Sequence, residues 1–238
     1  MKKKILLFIV TYNSSFRLIN IMNKINKINK KNDTYKILIS DDCSTDDTID
    51  YIKKIKKNKN IKIIINKRNL GYGGNIKQCL SYGIKKKFDL AVMIHGDDQY
   101  DAKYVPALVK KLKSKNTDIV TGSRMLNKHT AMKGGMPIYK FIGNIILTKI
   151  FNTLCNTNFT DAHTGLWAYN LNIFKYINLK KMDNGYNFDN QIRITAVNNN
   201  LKIKEISINT FYRTETSRWH IIYSLNFLKY LLFNFFGK

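Results

Sequence analysis

Short apolar runs alternate along this chain with longer stretches of helical spacing, and that alternation constrains its fold more than any other feature. The pairs are KILLFIV with SSFRLINIMNKINKI, YKILIS with TDDTIDYIKKIKK, IKIIIN with YGGNIKQCLSYGIKK, and DLAVMI with AKYVPALVKKLKS, closed by DIVTGS. Strands alternating with helices in this way predict right-handed βαβ units on a mostly parallel sheet, an α/β fold with helices flanking the sheet. In such sheets ligands bind beyond the carboxyl ends of the strands. Each apolar run here is followed by polar, turn-prone residues: TYN, DDCSTDD, NKRNLGYGG, HGDDQYD and GSR. Five strand ends are therefore expected on one edge.

A chain of 238 residues with 44% hydrophobic content suffices for one sizeable core. With two prolines and no Gly/Ser/Pro-rich linker, we expect one domain over residues 1–215 and an appended apolar segment over 216–238. The start, MKKKILLFIVTYN, imitates a signal peptide, but its apolar run is short and no small-residue cleavage site comes after it. It reads as a buried first strand.

The net charge of +25 is compatible with nucleic acid, an anionic membrane face or a phosphate-rich substrate. Lysine is accompanied throughout by asparagine and isoleucine, as in NKINKINKKND, the pattern of an AT-rich coding sequence, so basicity alone selects none of these. No basic stripe with interleaved aromatics and no zinc spacing is present, and a nucleic-acid partner is not expected. Cys43, Cys79 and Cys155 are odd in number and far apart, as in a cytosolic protein with reduced thiols.

Beyond residue 130 the rhythm changes. GGMPIYKFIGNIILTKIFNTL has apolar residues at Ile138, Phe141, Ile142, Ile145, Ile146, Ile150, Phe151 and Leu154. This is a helix with a wide apolar face, and most such faces are core; a lipid- or acceptor-facing role is the alternative. DAHTGLWAYN reads as a loop leading into a strand, NGYNFDNQIRITAVNNN as a helix, and LKIKEISINTF as a late strand. The terminal WHIIYSLNFLKYLLFNFFGK is the most apolar segment. As a helix, Ile221 to Phe236 would reach only ~24 Å, short of a ~30 Å hydrocarbon core. It is expected to be a C-terminal apolar helix, packed on the domain or lying in a membrane interface.

In SDDCSTDD, Thr45 is the expected helix cap, with Asp46 and Asp47 complementing the helix dipole. Asp41 and Asp42 remain: adjacent carboxylates at a strand end, for which a nucleobase N–H or ribose hydroxyl is the natural complement. NKRNLGYGGN lacks the third glycine of a dinucleotide fingerprint and the G-K-[ST] of a P-loop. Lys67 and Arg68 beside its glycine turn are instead candidates for binding a base or diphosphate. In IHGDDQYD, an extended chain would put His95, Asp97 and Gln99 on one face and Asp98 on the other. Asp97 and Gln99 offer oxygen to a magnesium or manganese ion that keeps positions for phosphate, and His95 would soften the site toward manganese.

Together, TYN, DDCSTDDT, NLGYGGN, HGDDQYD, DIVTGSR and HTGLWAY resemble, in order and spacing, the inverting family 2 glycosyltransferases of GT-A fold. The nearest likeness is to the polyprenyl- and dolichol-phosphate sugar transferases, over about residues 3 to 215. The resemblance implies a metal-dependent, inverting hexosyltransferase with a Rossmann-like sheet, a nucleotide-diphosphate sugar donor, and Mg2+ or Mn2+ as cofactor. It implies a polyprenyl-phosphate lipid acceptor at the cytoplasmic membrane face, with transfer to a sugar hydroxyl of a surface glycan as the alternative. Peripheral membrane contact goes with the first reading.

By position, the resemblance implies that Thr11, Tyr12 and Asn13 line the nucleotide pocket and that Asp41 and Asp42 meet base and ribose. Arg68, Gly71, His95, Gly96 and Arg124 complete the donor side. Asp97 and Gln99, with His95, would hold the metal and diphosphate. Asp161 and Asp189 fall at the sugar and acceptor side, where they are candidate bases for a hydroxyl acceptor, and Asp97 counts with them as catalytic. Trp167 stands where relatives carry an arginine that meets the acceptor, and Arg213 and Arg218 flank TETS before the apolar tail as further acceptor-side residues. His95 departs from the family's usual first aspartate. A catalytically dead scaffold that binds only a nucleotide sugar or membrane would keep the same fold, and metal-dependent donor hydrolysis separates it from an enzyme.

Overall fold

The computed structural model describes residues 2–28, 33–55, 60–210 and 212. The apolar runs become strands as expected. In chain order these are β1 (Lys4–Thr11), α1 (Ser15–Asn26), β2 (Thr34–Asp41), α2 (Thr48–Ile55), β3 (Ile61–Ile65), α3 (Tyr72–Lys85) and β4 (Leu90–His95). Next come α4 (Val105–Leu112), β5 (Ile119–Ser123), α5 (Lys128–Lys133), α6 (Ile138–Cys155), β6 (Trp167–Asn170), α7 (Phe188–Asn198) and β7 (Ile203–Ser207).

The seven strands form one sheet in the order β3-β2-β1-β4-β6-β5-β7. β6 alone runs antiparallel to its neighbours β4 and β5; every other pairing is parallel. Both faces are covered, which is why β1 and β4 read as unbroken apolar runs rather than alternating ones. On one face Ile5, Leu7 and Ile9 meet Leu18 and Ile21 of α1, Ile52 of α2 and Leu108 of α4. On the other, Leu6 and Phe8 meet Ile76 and Leu80 of α3 and Phe188 and Ile192 of α7. The three cysteines are free thiols.

Helix α6 corrects the sequence reading. Part of its stripe packs as expected, Phe151, Ile150 and Leu154 with Ala162 and Ile194, and Phe141 with Met125, Ala131 and Met136, but Ile138, Ile142 and Ile146 are 66%, 50% and 52% exposed, and Tyr139 and Ile145 are exposed beside them. What α6 buries is Asn144, Thr148 and Phe151. The reason is a buried carboxylate. The Asn144 amide donates to Asp161 Oδ1 at 2.8 Å, and Thr148 Oγ1 accepts from the Ala162 amide at 3.1 Å. An ionised group inside the fold must be hydrogen-bonded, so Asn144 and Thr148 turn inward and the apolar residues of the first turns are left outside.

Among the described residues no helix is long and apolar enough to cross a membrane. Arg213, Arg218 and the expected apolar helix within 216–238 lie outside the described residues.

Candidate active site at the strand ends

The carboxyl ends of β1, β2 and β4 lie side by side, with Thr11 paired to Asp41 and Val10 to His95. Loops leaving these ends are tied to one another. The Asn13 amide donates to Ser44 Oγ at 2.9 Å, and the Thr45 amide to Asn13 Oδ1 at 2.9 Å. Asn13 itself takes a left-handed φ of 48°, and Tyr12 stands half exposed at the rim. Thr11 is buried, and its hydroxyl has no hydrogen-bond partner. A methyl on Gly96 would come within 2.8 Å of that hydroxyl, so the close approach of the β4 end to β1 requires glycine there.

Asp41 and Asp42 are buried, and the loops satisfy them. Asp41 accepts from the Ser44 amide at 2.9 Å and from Ser44 Oγ at 2.5 Å. Asp42 Oδ1 accepts from Asn66 Nδ2 at 3.0 Å and from the Leu70 amide at 2.8 Å. Their burial is thus explained within the chain, each carboxylate fixing one of the loops that leave the strand ends. Thr45 is not the helix cap. α2 starts later, and Asp46 Oδ1 accepts from the Thr48 amide at 3.0 Å. Lys67 and Arg68 are exposed beyond β3, and Gly71, at φ 81°, precedes α3.

After His95 the chain turns instead of continuing extended, and Asp98 takes a left-handed φ of 57°. Simple alternation therefore does not govern residues 96–99. Asp98 still points away from the other acidic residues, its Oδ1 lying 2.8 Å from Lys24 Nζ. Asp97 is exposed, with Oδ1 accepting from the Gln99 amide at 2.9 Å.

His95 faces inward. Its Nε2 lies 3.1 Å from the Tyr72 hydroxyl, which donates to Asp189 Oδ2 at 2.8 Å. The Tyr72 hydroxyl thus bridges the imidazole at the end of β4 and the carboxyl at the start of α7. Burial holds the imidazole below its usual pKa, against the opposing charge of Asp97. Tyr100 meets the imidazole edge-on at 5.3 Å, and its hydroxyl accepts from the Gly165 amide at 2.9 Å. A methyl on Gly165 would fall 2.8 Å from His95 Cε1.

Asp189 sits in the first turn of α7, buried, with Oδ1 lacking a partner. Burial pushes its carboxyl up to about 7, opposed by the Tyr72 hydrogen bond and by Arg193. Arg193 is fully buried between the rings of Trp167 and Phe159, 4.7 and 4.8 Å from their centroids. Exposed Tyr186 stacks on Tyr72 at 5.3 Å.

Asp161 and Arg124 are engaged with each other. Arg124 Nε donates to Asp161 Oδ2 at 2.7 Å and its Nη2 to Oδ1 at 2.9 Å, while Nη1 reaches Tyr212 and Nη2 the His163 carbonyl. The guanidinium holds the Asp161 carboxyl well below the usual range despite its burial. The pair is thus a structural brace. Trp167 is fully buried on β6, stacked on Tyr169, and offers no surface to an acceptor.

The fit of a divalent ion can be judged from these donors. Among the described residues no three His, Cys, Asp or Glu side chains cluster as a metal site. His95 Nε2 is committed to Tyr72, which leaves Asp97, with Gln99 half buried beside it, facing solvent. One carboxylate plus substrate phosphates is a normal magnesium or manganese arrangement, so these residues fit an ion that arrives with a diphosphate. Tyr72, Tyr100, Tyr186 and Arg193 had no separate signal in the sequence, because helix periodicity accounts for Tyr72 and Arg193 as readily as a site does.

Residues 7–177 match the model of the family described as Glycosyl transferase family 2. The chain is 28% identical over 223 residues to the UDP-N-acetylglucosamine–dolichyl-phosphate N-acetylglucosaminyltransferase of Methanococcus voltae, covering 88% of this chain and 86% of that one. It is 29% identical over 198 residues to the dolichyl-phosphate beta-glucosyltransferase of Saccharomyces cerevisiae, covering 73% and 56%. Among solved structures, the glucosyl-3-phosphoglycerate synthase of Mycobacterium tuberculosis, in complex with Mn2+, UDP and phosphoglyceric acid, superposes with a TM-score of 0.70. That likeness covers 97% of this chain and 78% of the other at 14% identity, and it shows the GT-A fold.

Proposed function

The chain belongs to glycosyl transferase family 2, and on that footing we propose that it moves a hexosyl group, with inversion, from a nucleotide-diphosphate sugar to a polyprenyl-phosphate-type lipid. The observation that carries the donor half is Asp97, an exposed carboxylate after the β4 end, on the same sheet edge as the loops fixed by Asp41 and Asp42. The acceptor half is supported by similarity, over most of both chains, to a protein named for transfer to dolichyl phosphate.

In this reading Thr11, Tyr12 and Asn13 line the nucleotide side, and exposed Lys67 and Arg68 are available to the diphosphate. Asp97, with Gln99 beside it, would hold a magnesium or manganese ion, which would supply positive charge where the departing diphosphate becomes more negative. An acceptor phosphate oxygen forms a bond to the anomeric carbon from the face opposite the breaking bond to the diphosphate, and the nucleoside diphosphate leaves with that electron pair. Asp41 and Asp42 pre-organise the strand-end loops rather than waiting bare for a ligand. The domain is assigned to residues 1–215. Arg213 and Arg218 are assigned to the acceptor side, and work at the cytoplasmic membrane face accords with the lipid acceptor and with the charge of +25.

A second reading, transfer to a sugar hydroxyl, is favoured by Asp189. Its unpartnered, buried Oδ1 and a carboxyl raised to about 7 suit a general base, which a hydroxyl needs and an ionised phosphate does not. Asp161, braced by Arg124, does not suit that role.

The test is to incubate the purified protein with UDP-glucose, UDP-N-acetylglucosamine or GDP-mannose, with Mg2+ or Mn2+, and with either polyprenyl phosphate or soluble glycosides. The expected product is a lipid-linked sugar of inverted anomeric configuration, read by NMR. Transfer to glycosides alone would select the hydroxyl reading, retention would overturn inversion, and absence of any donor turnover would leave a binding scaffold.

A further inference from the structure

The exposed face of α6 has no cover among the described residues. Ile138, Tyr139, Ile142, Ile145 and Ile146 lie within the first turns of this 18-residue helix and share one side of it. Exposed Leu126 and Met132 precede them. A contiguous apolar face of this kind marks an interaction surface.

The described chain ends beside it. Tyr212 donates its amide to the Gly134 carbonyl at 2.9 Å and packs with Met125, Ala131, Met136 and Phe141. Its hydroxyl accepts from Arg124 at 2.9 Å, and Lys140 of α6 stands 5.6 Å from its ring centroid. The chain is thus delivered to the N-terminal end of α6, and residues 213–238 follow in the sequence. That segment is polar through RTETSR and then strongly apolar from Trp219 to Phe236, as many residues as α6 itself. Ile221, Leu225, Leu228, Leu232 and Phe235 in it repeat at three and four residues, a stripe able to pack on a helix. At 1.5 Å per residue both stretches span ~27 Å.

We propose that the occupant of the α6 face is this chain's own C-terminal segment, Trp219 to Phe236, laid along α6 from its N-terminal end. Such packing is independent of the reaction assigned above.

Trp219 is a natural reporter, because the only other tryptophan, Trp167, is fully buried. The emission spectrum of the full chain minus that of a W219F variant isolates it. Measured in buffer on the monomer, identified by light scattering, Trp219 is expected to emit to the blue and to be shielded from iodide. The double variant Ile142→Glu, Ile146→Glu alters only exposed positions and should keep the far-ultraviolet circular dichroism of the parent. In it Trp219 is expected to shift red and to be quenched several-fold more readily. Water-exposed emission in the parent monomer would overturn the proposal, as would blue emission that the double variant leaves unchanged. Shielding seen only in a dimer would assign the face to a second copy, and shielding seen only with phosphatidylglycerol vesicles would assign the segment to the membrane; either result contradicts the proposal.

Discussion

The Tyr72 hydroxyl donates a 2.8 Å hydrogen bond to Asp189 Oδ2, joining the start of α3 to the start of α7 across 117 positions of sequence. The same hydroxyl lies 3.1 Å from His95 Nε2 at the end of β4. One phenol therefore links the residue that departs from the family's usual aspartate to the buried carboxylate across the site.

Tyr72→Phe removes that link while leaving the ring that stacks on Tyr186. A buried acceptor that loses its donor costs about 1–3 kcal/mol, and the Tyr72 hydrogen bond is one of the influences holding the Asp189 carboxyl down. If Asp189 acts as base, the acid limb of the pH–rate profile should move to higher pH in the variant, with turnover at neutral pH reduced about tenfold. Steady-state rates across pH 5–9 check this; an unchanged profile contradicts it.

Asp189 also makes a stability prediction whose sign is unusual for a carboxylate. Its folded pKa, about 7, lies above its ordinary value of 3.8, so between these pH values the native state holds a proton that the unfolded chain releases. Its contribution to stability therefore falls as pH rises from about 4 through 7. Asp189→Asn keeps the shape without the ionisation. The Tm of the variant relative to the parent should rise across that window and level off above it, as measured by thermal melts at fixed ionic strength.

Asp161→Asn should behave differently. It leaves the Arg124 guanidinium buried without its bidentate carboxylate, a change that typically costs about 3–5 kcal/mol. Activity lost in this variant should track the loss of folded protein and return at lower temperature. A fully folded, inactive Asp161→Asn would instead place Asp161 in the chemistry.

How much of the fold and the site was legible in the sequence depends on which contacts are local. Strands β1, β4 and β5 were readable because a strand buried on both faces must be a continuous apolar run, and the turn residues after each run marked the edge where ligands bind. Thr45 is not the cap of α2, which begins at Thr48, because its amide and hydroxyl are drawn to Asn13 while the Asp46 carboxylate takes the Thr48 amide, contacts that only the folded loops make. The face of α6 was hidden because its orientation depends on Asp161, whose burial no periodicity reveals. Alternation fails after His95 because the left-handed turn at Asp98 is a property of the folded loop. Likewise Arg124 with Asp161, and Tyr72 with Asp189, are pairs made by topology; each residue alone looks like a ligand-binding side chain or a helix position.

The central claim, that the edge beyond β4 holds the donor diphosphate through Asp97, is tested most directly by Asp97→Ala. Asp97 is exposed, so the variant should fold with an unchanged Tm. Its rate of nucleoside diphosphate release from the preferred nucleotide sugar, in Mg2+ or Mn2+, is expected to fall at least ~100-fold, as when one strong electrostatic contact to developing charge is lost. Release at the parental rate would contradict the assignment of the site.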